Sequence, residues 1–307
     1  MNTRTRISND VNETKYKARS AATSKWIVLL ARLGYAIKGV VYLTIGFLAV
    51  QLAVGVGGKT TDQRGAIQTI NALPLGKFLL VVVTIGLVGF ALWCFIQALF
   101  DTEGKGRKAK GIIARIGYAA VGVAYATLAF GTFRVVMGSG SAGKSSTTTT
   151  QDWTATLLKE PFGVALVVLV ALVVLAIACY LYYKAYSADF RSKFNLAQLN
   201  ASAKKWVIFF GRLGYTALGV VFTIIGIFLI VAAFQHNPGQ AVGLDGALLE
   251  LTRQPFGQLL LGIVALGLIA YGIYSFVEAG YRRVGRQGFS EYPKVPKERK
   301  RSHFLRE

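Results

Sequence analysis

Six long apolar segments constrain this chain more than any other feature of its sequence. Because a helix rises about 1.5 Å per residue, about 22 residues cover a hydrocarbon core of roughly 30 Å. Val164–Ile177 is apolar at every position, which excludes the alternating strands of a membrane barrel. The sequence therefore predicts an all-α membrane protein with six transmembrane helices, at Leu33–Val54, Phe78–Phe100, Ile116–Met137, Phe162–Tyr186, Leu213–Phe234 and Phe256–Gly280.

Composition narrows the classes of function. Hydrophobic residues make up 53% of the 307 residues and charged residues 16%, so a soluble enzyme is excluded. Cys94 and Cys179 lie in apolar runs, and His236 and His303 are far apart. These spacings offer no zinc site, disulfide framework or Cys/His nucleophile pair. We expect no metal, no cofactor and no enzymatic activity.

Basic residues are distributed unequally between the two sides of the predicted helices. The tail through Arg32, the segments 101–115 and 187–212, and the tail after Gly280 hold 26 Lys and Arg residues, against 6 in the three intervening segments. The positive-inside rule then predicts that both termini are cytoplasmic. We expect the basic residues to contact the bilayer, especially anionic headgroups on that side, and not nucleic acid.

The chain contains three copies of one two-helix hairpin. Arg32-Leu-Gly-Tyr35 recurs as Arg115-Ile-Gly-Tyr118 and Arg212-Leu-Gly-Tyr215, and each second helix is preceded by Pro74-Leu-Gly, Pro161-Phe-Gly or Pro255-Phe-Gly. A second glycine follows the first by five positions in every copy. The predicted organisation is a tail at 1–25, repeats at 26–103, 104–190 and 191–281, and a tail at 282–307, with glycine pairs Gly34 and Gly39, Gly117 and Gly122, and Gly214 and Gly219.

These motifs resemble a bacterial membrane family catalogued as domain of unknown function 1206, in which a helix pair occurs three times. The resemblance covers about Trp26 to Tyr281 and departs from the repeated pattern at Leu75, which replaces phenylalanine. It implies the architecture and a bacterial plasma membrane location, and it supplies no catalytic residues. Because each hairpin has two spans, all three share one orientation, and a pseudo-threefold axis along the membrane normal can relate them.

The repeated residues allow structural and functional interpretations. Proline suits the first turn of a helix, and glycine lets helices pack closely, or alternatively forms a flexible gate. Arg32, Arg115 and Arg212 are interfacial anchors for lipid phosphates if the spans begin at Leu33 and its equivalents. If the spans begin near Trp26 and Trp206, the arginines instead form an anion-attracting constriction around the axis.

Four polar residues within the spans are the other candidates. Gln97, Lys184 and Glu278 each lie 23 residues after a hairpin proline, so they occupy one level of the repeat. If the three faces converge, Lys184 can pair with Glu278 while Gln97 bridges them; otherwise they snorkel to the interface. Lys38, which is valine or leucine in the other copies, either lines a cavity or snorkels.

The segments before the three prolines carry weaker signals. Gly138–Ser145 matches a phosphate loop, but it follows a membrane span and leads into Ser146–Thr150, so we expect a flexible loop. Short helices near Arg64, Asp152 and Asp245 are expected to form a cap, or alternatively a lid, with the two aspartates as helix N-caps. The leading functional hypothesis is a non-catalytic scaffold that interacts with lipid or a partner. The alternative is a transporter or channel with a cavity on the pseudo-threefold axis.

Overall fold

The computed structural model describes residues 25–100, 109–138, 141–188 and 201–281. These ranges contain six long helices, three short ones and a 3₁₀ turn at Pro238–Gln240. The predicted tails lie outside the described residues, apart from Lys25. The helices are α1 Lys25–Ala53, α2 Gln63–Asn71, α3 Gly76–Phe100, α4 Ala109–Val136, α5 Ser146–Leu158, α6 Gly163–Ser187, α7 Ala201–Phe234, α8 Leu244–Thr252 and α9 Gly257–Tyr281.

The six long helices confirm the predicted all-α class with six membrane spans. Each is long and apolar enough to cross a bilayer. Three of them begin much earlier than the hydropathy pattern indicates, because α1 starts at Lys25, α4 at Ala109 and α7 at Ala201. Lysine and arginine are good helix formers, so the helices include the charged residues that precede each apolar segment. Arg32, Arg115 and Arg212 consequently lie within helices and not at their first residues.

The second helix of each repeat begins two residues after its proline. Leu75, Phe162 and Phe256 adopt left-handed φ angles of 63°, 62° and 59° between the proline and the first helical glycine. The expectation that proline occupies the first helical turn is therefore wrong. At Gly163 an added Cβ would lie 2.5 Å from the carbonyl oxygen of Leu157, so the tight turn requires glycine at this place.

The long helices pack side by side in the order α4, α3, α1, α9, α7 and α6, which we call the ring. Within repeats, α1 packs on α3 and α7 packs on α9. Between repeats, α3 packs on α4, α6 on α7, and α9 on α1, which brings the third repeat against the first. This order is compatible with the predicted pseudo-threefold plan, with the last helix of the chain completing the contact to the first.

The second repeat departs from that plan. Among the described residues, α4 and α6 make little contact with each other. Only 17% of each of these two spans is buried, compared with 44–56% of the other four. We call the exposed faces of Gly117 and Ala120 on α4 and of Val173 and Ile177 on α6 the open edge.

The three short helices form a cap on the side of the bundle opposite the first residue of α1. Asp62 accepts hydrogen bonds from the amides of Gly65 (2.9 Å) and Ser146 (2.6 Å). Asp245 accepts from the hydroxyls of Ser146 (2.7 Å) and Thr147 (2.7 Å) and from the Thr147 amide (3.0 Å). The first turn of α5, in the second repeat, is thus held between carboxylates of the first and third repeats.

The cap corrects one expectation about these segments. Ser146–Thr150, which follow the predicted loop, are helical, because Ser145 is the N-cap of α5 and Asp62 and Asp245 accept hydrogen bonds from the first amides of the helix. The short helices themselves are confirmed. Asp245 and Asp152 are not N-caps: Gly243 precedes α8, while Asp152 lies inside α5 and accepts from Lys144 at 2.5 Å.

Candidate functional site

An ion pair lies inside the membrane-spanning part of the protein. Nζ of Lys38 on α1 is 2.8 Å from Oε2 of Glu278 on α9, and the two side chains are 7% and 2% exposed. A charged group in hydrocarbon is strongly unfavourable unless it is paired or hydrated. The Lys38 ammonium is therefore enclosed with a counter-ion, and this pair is the strongest candidate for a functional site.

Close packing of α1 on α9 places the two charges together. A Cβ added at Gly39 would lie 2.9 Å from the carbonyl oxygen of Gly272, and one added at Gly272 would lie 2.9 Å from the carbonyl oxygen of Gly39. Two glycines that face each other let the helix backbones approach more closely than other residues allow. The short Lys38–Glu278 distance follows from this glycine contact one residue away from the lysine.

Aromatic rings surround the Lys38 ammonium. Nζ is 5.1 Å from the ring centroid of Tyr35, 5.6 Å from that of Phe90 and 4.9 Å from that of Tyr271. It also donates to the Tyr271 hydroxyl at 3.4 Å. Ring faces attract cations, so the rings replace part of the hydration that the ammonium has lost. Helices α1, α3 and α9 all contribute to the enclosure.

A cluster of tyrosines continues from the ion pair toward α6. The rings of Tyr271 and Tyr274 lie 5.5 Å from the ring of Tyr215, and the ring of Tyr42 lies 4.8 Å from Tyr271. The Tyr215 hydroxyl accepts a 2.7 Å hydrogen bond from Lys184, which also lies 3.9 Å from the Tyr215 ring centroid. Tyr215 and Tyr271 thus connect Lys184 to the Lys38–Glu278 ion pair.

The four predicted intramembrane polar residues occupy different environments. Lys38, Gln97 and Glu278 are buried, at 6%, 3% and 2% exposure, whereas Lys184 is half-buried. The structure brings Lys38 directly onto Glu278 and places Lys184 on Tyr215. Gln97 lies on α3 and is buried there.

The three repeated arginines do not behave alike. Arg115 donates to the carbonyl oxygens of Ala98 (2.5 Å) and Leu99 (3.0 Å) at the end of α3. Arg212 donates to the carbonyl of Tyr186 (3.2 Å) at the end of α6. Each thus binds the carboxyl end of the preceding repeat's second helix, where the helix dipole favours a cation. Arg32 is exposed, and none of the described carbonyls accepts a hydrogen bond from it.

The second glycine of each motif packs against an aromatic side chain on the second long helix of the adjacent repeat. An added Cβ at Gly122 would lie 3.1 Å from the Phe95 ring, and one at Gly219 would lie 2.7 Å from the Tyr182 ring. Gly39 meets Phe276 in the same way, at 2.9 Å. These aromatic residues each lie 21 residues after a hairpin proline, so one contact recurs at all three junctions between repeats.

The first glycine of each motif packs within its own repeat in two copies. An added Cβ at Gly34 would lie 2.5 Å from Cβ of Phe90, and one at Gly214 would lie 2.7 Å from Cα of Tyr271. At Gly117 it would have nothing within 4 Å. Gly117 is therefore the place where the predicted glycine packing is absent, on the open edge.

Sequence reasoning missed part of the ion-pair site. Tyr271 and Ser275 lie seven and three residues before Glu278, so the three polar groups form one stripe on α9. Ser275 is fully buried and donates to the Tyr271 carbonyl at 2.8 Å. This i, i+4, i+7 spacing was the available signal. The sequence identifies Lys38 and Glu278 as candidates but does not pair them, because 240 residues separate them.

The cap adds an electrostatic feature outside the spans. Burial raises the pKa of Asp245, but hydrogen bonds from Thr147, Ser146 and Ser145 outweigh this effect and lower the pKa below its ordinary value. The carboxylate is therefore stabilised in its ionised form. Among the residues that the structure describes, no three His, Cys, Asp or Glu side chains form a group that could hold a metal ion.

Fold and repeats together define a multi-pass membrane protein built from three helical hairpins. A family model described as Domain of Unknown Function (DUF1206) matches three times, at residues 33–101, 116–188 and 213–282. The chain belongs to this family. It is 37% identical over 262 residues to the uncharacterized protein YxxB of Bacillus subtilis (strain 168), an alignment that covers 85% of this chain and 94% of that protein. No solved structure matches the chain.

Proposed function

We propose that this protein is a non-catalytic component of the bacterial plasma membrane that holds a membrane partner at its open edge. The observation that carries the proposal is the contrast in packing around the ring. The junction of α1 and α9 is sealed by facing glycines and an enclosed ion pair, whereas α4 and α6 leave apolar faces exposed. A closed α1–α9 junction with an exposed helical edge suits binding better than passage of a solute.

The proposed orientation has both termini in the cytoplasm. It is supported by the concentration of basic residues beside the span ends on that side. In this orientation Arg32, Arg115 and Arg212 lie near the cytoplasmic headgroups, which include anionic lipids. Arg32 is the best placed to bind a lipid phosphate, because Arg115 and Arg212 already donate to helix carbonyls.

Flux measurements on reconstituted vesicles test the absence of transport. Purified protein is incorporated into vesicles that contain a pH-sensitive or a chloride-sensitive dye, and gradients of protons and chloride are applied. We expect rates equal to those of protein-free vesicles, and the same rates for Glu278→Gln. Flux that depends on the protein and disappears in Glu278→Gln would contradict the proposal.

Native mass spectrometry tests the lipid contact. Wild type, Arg32→Ala, Arg115→Ala and Arg212→Ala are compared in mixtures of phosphatidylglycerol and phosphatidylcholine. One charge near an anionic surface contributes about 1 kcal/mol, so Arg32→Ala should lower phosphatidylglycerol retention about fivefold. The other two variants should lower it less. Equal retention in all four proteins would exclude an arginine–headgroup contact.

The Lys38–Glu278 pair favours a second candidate function, transport. Ionisable residues inside membrane spans often mark the pathway of an ion or substrate. In this alternative, the pair opens transiently and the tyrosines that connect it to Lys184 line the route. The flux experiment separates the two functions, because only transport requires rates above those of empty vesicles.

A further inference from the structure

The contacts between the two long helices of a repeat use two facing pairs of residues. In the first repeat, Phe90 fits over Gly34 and Ile37 fits over Gly86. In the third, Tyr271 fits over Gly214 and Ala217 fits over Gly267. Each pair joins one small residue to one larger residue at corresponding positions of the repeat.

The second repeat keeps the first pair and changes the second. Ile177 corresponds to Phe90 and Gly117 to Gly34, while Ala120 and Val173 correspond to Ile37 and Gly86. Valine thus replaces the glycine of the second helix, and this pair has four side-chain carbons, as Ile37–Gly86 does, whereas Ala217–Gly267 has one. Each pair of the open edge therefore still joins a small residue to a larger one, although the two helices do not meet in one chain.

Closure of the open edge within one chain is opposed by the rest of the fold. Helix α6 packs along α7, and α4 packs along α3, so bringing α4 and α6 together would shift at least one of them relative to the helix on which it packs. The cap also holds the start of α5 through Asp62 and Asp245. Moreover, α5 has 13 residues, whereas α2 and α8 have 9 each, so one more helical turn separates α4 from α6.

We propose that a second copy of this chain binds the open edge, with α4 of each copy packing against α6 of the other. Copies inserted in one membrane share an orientation, so a twofold axis along the membrane normal relates them. Such an interface is isologous: Ala120 of one copy faces Val173 of the other, and the same contact occurs twice. Small residues that allow close van der Waals packing associate helices in lipid.

This inference rests on the proposed function, because it names the partner held at the open edge. The two are tested by separate measurements. Dimerisation is measured as mass, whereas the absence of transport is measured as flux through vesicles. A monomeric protein without flux would overturn the inference and leave the proposed function standing.

Cysteine crosslinking tests the pairing in membranes. Ala120→Cys and Val173→Cys are placed on separate chains with different tags, in a background in which Cys94 and Cys179 are alanine. The chains are co-expressed and oxidised with copper phenanthroline. We expect a covalent dimer that carries both tags. Ala126→Cys with Leu172→Cys is the matched control, because both positions are exposed on other faces of the same helices.

A bulky substitution supplies a second measurement. Ala120→Phe should raise the dimer dissociation constant in mild detergent about tenfold or more, because phenylalanine cannot fit opposite Val173. Ala126→Phe makes the same change on another face of α4 and should leave dimerisation unchanged. Position 120 is exposed in the single chain, so both variants should fold, with circular dichroism spectra equal to that of the wild type.

Three results would overturn the inference. A crosslink at monomer mass in a chain that carries both Ala120→Cys and Val173→Cys would show closure within one chain. Retention of lipid by monomers, without a heterotypic crosslink, would show that lipid covers the open edge. Equal crosslinking of the control pair would show that the contact is nonspecific.

Discussion

The α1–α9 junction and the open edge are built from the same repeat, yet they differ in nearly every physical respect. At the junction, facing glycines bring the backbones together, and Lys38 and Glu278 are enclosed. At the open edge, Gly117 has empty space above it, and Ile177 is 39% exposed where its counterpart Phe90 is 5% exposed. Equivalent glycines thus contribute to packing only where the neighbouring helix is close enough to use them.

Removing one charge at the α1–α9 junction should have the largest effect on the free energy of unfolding. Glu278→Gln leaves the buried Lys38 ammonium without a carboxylate, which should lower the free energy of unfolding by about 3–5 kcal/mol. Unfolding in detergent, followed by circular dichroism, measures this change. Asp152→Asn is the control, since the Asp152–Lys144 pair is 53% and 65% exposed and should contribute at most about 1 kcal/mol.

A paired replacement sharpens the same prediction. Lys38→Met combined with Glu278→Leu removes both charges, so it should restore much of the stability that Glu278→Gln loses. If the double variant is as unstable as the single one, then packing and not charge maintains the junction.

Replacing equivalent glycines by alanine should change the free energy of unfolding in opposite directions at Gly34 and Gly117. Gly34→Ala places Cβ 2.5 Å from Cβ of Phe90, so it should lower the free energy of unfolding by about 1–3 kcal/mol. In the single chain Gly117→Ala meets nothing, so in a detergent that keeps the protein monomeric it should raise the free energy of unfolding by up to about 1 kcal/mol through better helix propensity. Thermal melts of both variants in one detergent compare them. Similar losses at both positions would mean that the second repeat is closed.

The cap should make a smaller, pH-dependent contribution. Asp245→Asn replaces an ionised acceptor of three hydrogen bonds and should lower stability by about 1 kcal/mol at neutral pH. Because folding lowers the pKa of Asp245, its contribution is present above the unfolded-state pKa and is lost as pH falls through the lower folded-state pKa. Melts between pH 7 and pH 3 should therefore converge for wild type and Asp245→Asn, with Asp245→Glu as the charge-preserving control.

The smallest effect on stability is expected for Arg115, whose hydrogen bonds join α4 to the end of α3. Arg115→Lys keeps the charge near the end of α3 but loses the simultaneous hydrogen bonds to the carbonyl oxygens of Ala98 and Leu99. It should therefore lower the free energy of unfolding by about 0.3–1 kcal/mol. Arg32→Lys should leave stability unchanged. Parallel thermal melts compare them, and equal effects would contradict the distinction between the two arginines.

Sequence reasoning succeeded where a physical property repeats locally. Apolar runs identified six spans, and the repeated Arg-x-Gly-Tyr and Pro-x-Gly motifs identified three hairpins. The same comparison located Glu278, because its repeat counterparts are also polar. These signals depend on nearby residues or on internal copies, both of which a single sequence contains.

The long-range contacts could not be predicted from the sequence. Nothing near Lys38 in the sequence indicates that Glu278 is its partner, because the pairing depends on the approach of α9 to α1. The open edge was missed for the opposite reason. Gly117 matches Gly34 and Gly214 in the motif, and only tertiary structure distinguishes a glycine that is packed from one that is exposed.

The position of Lys38 and Glu278 at opposite ends of the chain has a consequence for biosynthesis. Lys38 enters the membrane in the first helix, and its counter-ion follows 240 residues later. At about 5–20 residues per second, synthesis of that interval takes roughly 12–48 s. For that period a nascent chain carries a lysine in its first span without the carboxylate that will neutralise it. The insertion machinery or a hydrated lipid interface has to accommodate this charge until the last helix arrives.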